Sequence, residues 1–235
     1  MKKNLLAVFV GLFLIGSSAN AVEFSLGVSA NGGAFDATGH EVRTEQGSTL
    51  SDKNKSDDLY LLYGSVFGEI HLSDLPLPLP VNARVGISYV PYALESETTE
   101  STHRSKTKAQ GGTGEADRSQ KVQVDLEDLA SIYLSFYNDA GFFVKVGAMQ
   151  GDLVTNESLD SGSSYGNTTL EGVMAGVGLE RNLDNGMFVR AEVNYSEYDN
   201  VSLEATTASD DSHTNKITVK DLSGFTGALS IGKSF

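Results

Sequence analysis

From Val22 onward the chain alternates apolar and polar residues in run after run, and it holds no stretch of about 20 apolar residues that could cross a membrane as a helix. A period of two is the signature of a strand with one apolar face. A chain of this kind either hides that face in a protein core or turns it toward lipid. In lipid the only sheet that leaves no backbone group unpaired is one closed on itself.

The clearest run is 23–30, where Phe24, Leu26, Val28 and Ala30 share a face opposite Glu23, Ser25, Gly27 and Ser29. Equivalent runs lie at 81–89, 142–149, 170–179, 187–196 and 225–235, with noisier ones at 59–72 and 122–136. The spacing therefore predicts eight strands, each near the roughly 9–11 residues that a tilted membrane strand needs. Short connections at 73–80, 138–141 and 182–186 carry turn residues: SDLPLPLP, NDAG and NLDNG. Long ones at 31–58, 93–121, 151–169 and 199–221 alternate strictly with them. Tight turns at one end and long loops at the other predict an all-β, eight-stranded antiparallel up-and-down transmembrane barrel, with both termini on the periplasmic side.

The amino terminus sets the compartment. Lys2 and Lys3 precede an apolar run of about eleven residues, too short to span a bilayer. Ala19 and Ala21 then form an A-x-A cleavage site. Residues 1–21 are expected to be a signal peptide and 22–235 the barrel, exported to the bacterial outer membrane. The formal charge of −14 becomes −16 once Lys2 and Lys3 are removed. Such an acidic chain is no nucleic-acid binder. Without cysteine there are neither disulfides nor thiolate metal sites. The low mean hydropathy of −0.16 fits a barrel, in which only every second strand residue is apolar.

The non-apolar face is rich in Gly and Ser, which suits a narrow, filled interior and would cover little if turned outward. Five charges fall on it: Glu69, Arg84, Lys145, Arg190 and Glu192. They are expected to pair as a luminal network that fixes strand register, the alternative being a gate on a narrow ion path. At the ends of the apolar face, Phe24, Phe136, Phe142 and Phe235 would form a periplasmic aromatic girdle, and Tyr60, Tyr89, Tyr195 and Phe225 an outer one. Lys233 lies on the lipid face near the end, where it can snorkel.

The closing stretch FTGALSIGKSF (225–235) resembles the last strand of bacterial outer-membrane barrels, and GVMAGVGLERNLDNGMFVRAEVNYSEYD (172–199) resembles the penultimate hairpin of the OmpA-transmembrane-like and opacity-like families. The resemblance implies an eight-stranded outer-membrane barrel whose terminal Phe235 is the signal read by the barrel assembly machinery. Lys233 stands where those families often carry an aromatic.

Other candidates have modest support. His40, His103 and His213 occupy three different long connections and could converge on a metal. His71 with Ser73 lacks an identifiable acid. Asp199, Glu204, Asp210 and Asp211 lie close together but lack calcium-loop spacing. No catalytic residue, metal or cofactor is expected, and the protein is not expected to be an enzyme. The acidic, Ser/Thr-rich connections, among them 96–120 and 202–216, predict a structural or surface-interaction role for a monomer, with an extracellular ligand or host surface as possible partner. The alternatives are a narrow porin-like channel and, behind it, a membrane-embedded enzyme. The alternation of Val122, Val124 and Leu126 suggests that strands continue above the bilayer and expose a sheet edge.

Overall fold

A computed structural model describes residues 23–45, 48–72, 82–95, 99–106, 115–158, 164–205 and 213–235. Lys2, Lys3, Ala19 and Ala21 of the expected signal peptide and the Pro-rich connection 73–80 lie outside the described residues. The strands are β1 (Phe24–Glu45), β2 (Ser48–His71), β3 (Asn82–Tyr89), β4 (Leu94–Glu95), β5 (Thr99–Lys106), β6 (Glu115–Tyr137), β7 (Phe142–Ser158), β8 (Thr168–Asn182), β9 (Met187–Tyr198), β10 (Val201–Glu204) and β11 (His213–Ser234). Eight of them run antiparallel in the order β1-β2-β3-β6-β7-β8-β9-β11, and β11 pairs back onto β1 to close a ring. The short β4 and β5 pair with β6, and β10 with β11.

Closure is dense. Phe235 and Phe24 exchange two backbone hydrogen bonds (2.8 and 3.3 Å), and their rings stack with centroids 5.1 Å apart. Inside the wall, hydroxyl pairs Ser25–Ser234 and Ser29–Ser230, each 2.8 Å apart, bridge the same two strands. The turns follow from local chemistry. Asn138 Oδ1 accepts from the amides of Ala140 and Phe142, and Gly141 takes φ +84° where a Cβ would lie 2.2 Å from the Glu180 carbonyl oxygen.

Side chains alternate across the wall as the strand period requires. Outward lies a continuous apolar band that includes Leu62 (87% exposed), Leu229 (68%) and Val177 (59%). Inward, near the end with the tight turns, aromatic rings fill the bore. Four of them lie across glycines directly opposite on the neighbouring strand: Phe67 on Gly27, Tyr133 on Gly86, Phe143 on Gly178 and Phe188 on Gly232. A Cβ on any of these glycines would come within 2.3–2.4 Å of the ring it faces. The glycines make the space that the rings occupy.

The four intervals expected to be loops are largely strand, a correction to the sequence reading. β1 and β2 stay paired up to Glu45 and Ser48, β1 and β11 up to Glu45 and His213, and β6 and β7 up to Lys121 and Ser158. The cause is an inversion of the apolar face. In this crown, apolar side chains point inward: Phe35, Leu170, Tyr198 and Val201 form a buried core against Leu59, Leu61, Leu126, Leu153, Leu203 and Leu222. Two bulges shift the phase. β6 carries an extra residue at Asp128 (φ +52°), and β11 at Asp221 (φ +55°). Below Asp128 the odd residues Leu129, Tyr133 and Ser135 are buried, and above it the even Leu126 joins the core.

Among the described residues, β2 pairs with β3 only from Val66 to His71, so its upper edge faces no described strand on that side. The Gly64 amide there donates to the Tyr92 hydroxyl. Filling one of the glycine slots should destabilise the barrel. Gly178→Leu is expected to cost about 1–3 kcal/mol through overpacking against Phe143, read as a lower urea midpoint in detergent. Gly227→Ala, where the nearest atom to an added Cβ is 4.0 Å away and the backbone is ordinary strand, is expected to have a much smaller effect.

Candidate functional site

The lumen holds one connected cluster of charges, built from inward positions of β2, β3, β8 and β9. Arg190 is its centre. Its Nη1 and Nη2 donate to the two oxygens of Glu69 at 2.8 and 2.7 Å, and its Nη2 and Nε donate to Glu180 Oε2 at 2.8 and 3.1 Å. Arg84 forks onto Glu180 at 2.9 and 3.0 Å and reaches Glu69 at 3.4 Å. The Tyr133 hydroxyl donates to Glu69 at 2.9 Å, and that of Tyr137 to Glu180 at 3.5 Å. Rings cover the cations: Arg84 lies 4.1 Å from the Tyr137 centroid and Arg190 5.1 Å from that of Phe67. The side chains of Glu69 and Arg190 are 0% and 2% exposed, so each charge depends on its partners.

A second pair sits beside it. Lys145 Nζ donates to both oxygens of Glu192 at 2.6 and 2.7 Å, and Asn194 Nδ2 donates to Glu192 at 3.0 Å. All five charges singled out in the sequence thus lie in the lumen with carboxylate–cation contacts. Glu180 completes the set. The sequence reading ended that strand at Leu179, although the inward series Gly172, Met174, Gly176, Gly178 continues to 180. The charge count also pointed to it, since three cations faced only two carboxylates.

Beside Lys145 and Glu192 lies a cavity of about 70 Å³, lined by Asn31, Ser65, Asn194 and Thr226 among others. Asn194 Oδ1 is buried there without a protein partner, and the space suits water. Val90 and Leu129 also line this cavity and, with Leu94, pack into an apolar cluster at the crown end.

His71 meets Ser25, and Ser73 lies outside the described residues. His71 Nε2 is 2.9 Å from Ser25 Oγ, and Nδ1 is 3.3 Å from Glu23 Oε2. These distances suit a proton relay. Ser25, however, has no exposed surface and also bonds Ser234, so the arrangement clasps β1 to its two neighbours and offers no route to a substrate. Sequence reasoning missed it because the contact runs diagonally across two strands and depends on their register.

Of the aromatic candidates, Phe24, Phe136, Phe142 and Phe235 lie toward the tight-turn end, and the Lys233 ammonium sits 5.0 Å from the Phe235 centroid. Tyr60, Tyr195 and Phe225 project outward near the crown, the last two 5.1 Å apart, and the Tyr89 hydroxyl donates to Asp128 at 2.6 Å. His40, His103 and His213 fall on β1, β5 and β11. Asp210 and Asp211 lie outside the described residues, while Glu204 pairs with Lys216 at 3.5 Å. Among the described residues no three His, Asp or Glu side chains come together as a metal site.

No protein-family model matches the chain, and no curated protein sequence does. Its architecture does match solved structures. Outer membrane protein OprG from Pseudomonas aeruginosa aligns at 12% identity over 93% of this chain and 98% of its own, with a TM-score of 0.50. The outer membrane protease OmpT from Escherichia coli aligns at 10% identity over 91% and 97%, with a TM-score of 0.47. Ail, the attachment invasion locus protein of Yersinia pestis, aligns at 12% identity over 89% and 99%, with a TM-score of 0.33. The fold is that of the small bacterial outer-membrane β-barrels.

Removing the central cation should be costly. Arg190→Met leaves Glu69 and Glu180 with Arg84 as their one remaining arginine. The expected loss is about 3–5 kcal/mol, measured by urea unfolding in detergent. The double variant Lys145→Met/Glu192→Gln, which leaves no bare charge, is expected to cost clearly less.

Proposed function

We propose that this protein is a monomeric barrel of the bacterial outer membrane, exported with residues 1–21 removed, that holds a closed lumen and presents its crown to the exterior. The observation that carries this reading is the Arg190–Glu69–Glu180–Arg84 cluster. Together with the rings of Phe67, Tyr133, Tyr137, Phe143 and Phe188 it fills the bore near the periplasmic end. The apolar core around Phe35, Leu170 and Val201 adds packing in the crown. A channel would need both regions to part, and parting the first would strand buried charges.

The outward apolar band supports lipid contact, because such a surface is far too extensive to face water. With lipid there, the Phe235 strand is the segment the assembly machinery would read. The crown then stands outside the cell. Its long paired strands and the upper edge of β2, which faces no described strand on the β3 side, suit it to contact with an extracellular ligand or host surface, or to a structural role in the membrane.

Planar-bilayer recording tests the closed lumen: the purified protein is expected to give no discrete conductance steps, and regular steps would favour the channel reading. Topology is checked by single cysteines, which stand out in a chain that has none. A membrane-impermeant maleimide is expected to label Asp58→Cys and Glu204→Cys on intact cells and to leave Val146→Cys and Leu229→Cys unlabelled.

A further inference from the structure

Two cations interrupt the apolar outer wall at its tight-turn rim. On β8, β9 and β11 every outward position below the level of Tyr195 is apolar or glycine, except Arg181 and Lys233. Register places them on either side of β9: Lys233 faces Met187, and Arg181 faces Val189 one outward row nearer the crown. Two strand spacings separate them, about 10 Å across the sheet. Both are exposed. Arg181 Nη1 donates to the Ala140 carbonyl at 3.2 Å, and Lys233 Nζ lies 5.0 Å from the Phe235 centroid. Among the described residues neither meets a carboxylate at ion-pair distance, although the adjoining turns hold Asp139 and Asp184.

Just above these cations the wall is hollow. Ala191 on β9 stands between Leu229 and Leu179, its partners on β11 and β8, and Gly227 follows on the next row. These small residues among large ones border an outward recess of about 1030 Å³, which Phe142 and Val193 also line. The exposed Val189 and Ile231 connect the recess to the two cations.

We propose that this rim seats one phospholipid that carries two phosphates on a single glycerol bridge, a cardiolipin-type lipid. Arg181 holds one phosphate, Lys233 holds the other, and acyl chains lie in the recess around Ala191. The inference rests on the membrane reading above, which puts this rim at the headgroups of the periplasmic leaflet. Charge sets the headgroup. Two cations without carboxylate partners, on a chain whose formal charge is −14, attract phosphate. The guanidinium keeps further N–H groups for phosphate oxygens beyond the one bound to Ala140. Spacing sets the number, because cations on opposite sides of β9 match two bridged phosphates better than one. The hollow sets the remainder: a chain lying in it regains the dispersion contacts that Ala191 and Gly227 leave unmade.

The test is native mass spectrometry of the full barrel released from discs of phosphatidylethanolamine mixed with either cardiolipin or phosphatidylglycerol, at equal anionic phosphate. One cardiolipin is expected to stay bound, retained about fivefold more than phosphatidylglycerol. Arg181→Gln/Lys233→Gln should abolish that excess and each single variant should reduce it, with the barrel still folded by its heat-dependent gel mobility. Ala191→Phe, which fills the hollow and keeps both charges, should weaken retention of both lipids. Equal retention of the two lipids by the unmodified protein would overturn the proposal. So would a cardiolipin excess that survives the double variant. A barrel left unprotected from protease in the discs would instead fail the membrane reading itself, before any lipid is counted.

Discussion

The hydrogen bonds between β1 and β11 convert a sheet into a ring, and the rest of the molecule depends on that closure. A ring leaves no edge along the span, so its outer face can be apolar without exposing unpaired amides. It also creates a bore too narrow to stay open. That space is filled by the cross-strand partnership of ring and glycine, repeated at Phe67, Tyr133, Phe143 and Phe188. Closure itself is secured three times over, by backbone bonds at Phe24 and Phe235, by stacked rings outside and by serine hydroxyls inside.

The charges follow from the same confinement. A carboxylate such as Glu69, without exposed surface, is tolerable only with near-complete compensation, and Arg190, Arg84 and Tyr133 supply it. Because Arg190 bridges β2 and β8 while Arg84 joins β3 to β8, the cluster ties strands on opposite sides of the ring. In the reading proposed above it acts as a register lock as well as a plug. Beyond the band, water replaces lipid and the apolar face must turn inward. On β6 and β11 the bulges at Asp128 and Asp221 make that turn by adding one residue to each strand, while on β1, β2, β8 and β9 the inward face itself becomes apolar at Phe35, Leu59, Leu61, Leu170 and Tyr198.

The eight ring strands were legible because one constraint, apolar toward lipid, acts on every second residue over their whole length. Phe24 to Ala30 and Met187 to Ser196 display it almost without exception. The crown was legible as strand only in part, at Val122, Val124 and Leu126, which continue β6 beyond the bulge. Its outward positions are polar like those of any loop, and the phase shift at Asp128 breaks the alternation that joins Leu126 to Leu129. Glu180 was missed because the strand was ended one residue early, although charge balance asked for another acid. The contact of His71 with Ser25 could not be found by spacing, since 46 residues separate them and only register joins them.

The central claim is that the chain closes into a barrel whose apolar face meets lipid. Electrophoretic mobility of the detergent-extracted outer-membrane fraction, heated and unheated, tests it most directly. The account predicts that the protein is found in that fraction and that the unheated band migrates as a compact species, shifting on heating to the position of the unfolded chain. Recovery in the soluble periplasmic fraction with no shift would contradict it, and the outward apolar band would then have to be the inner face of a soluble barrel.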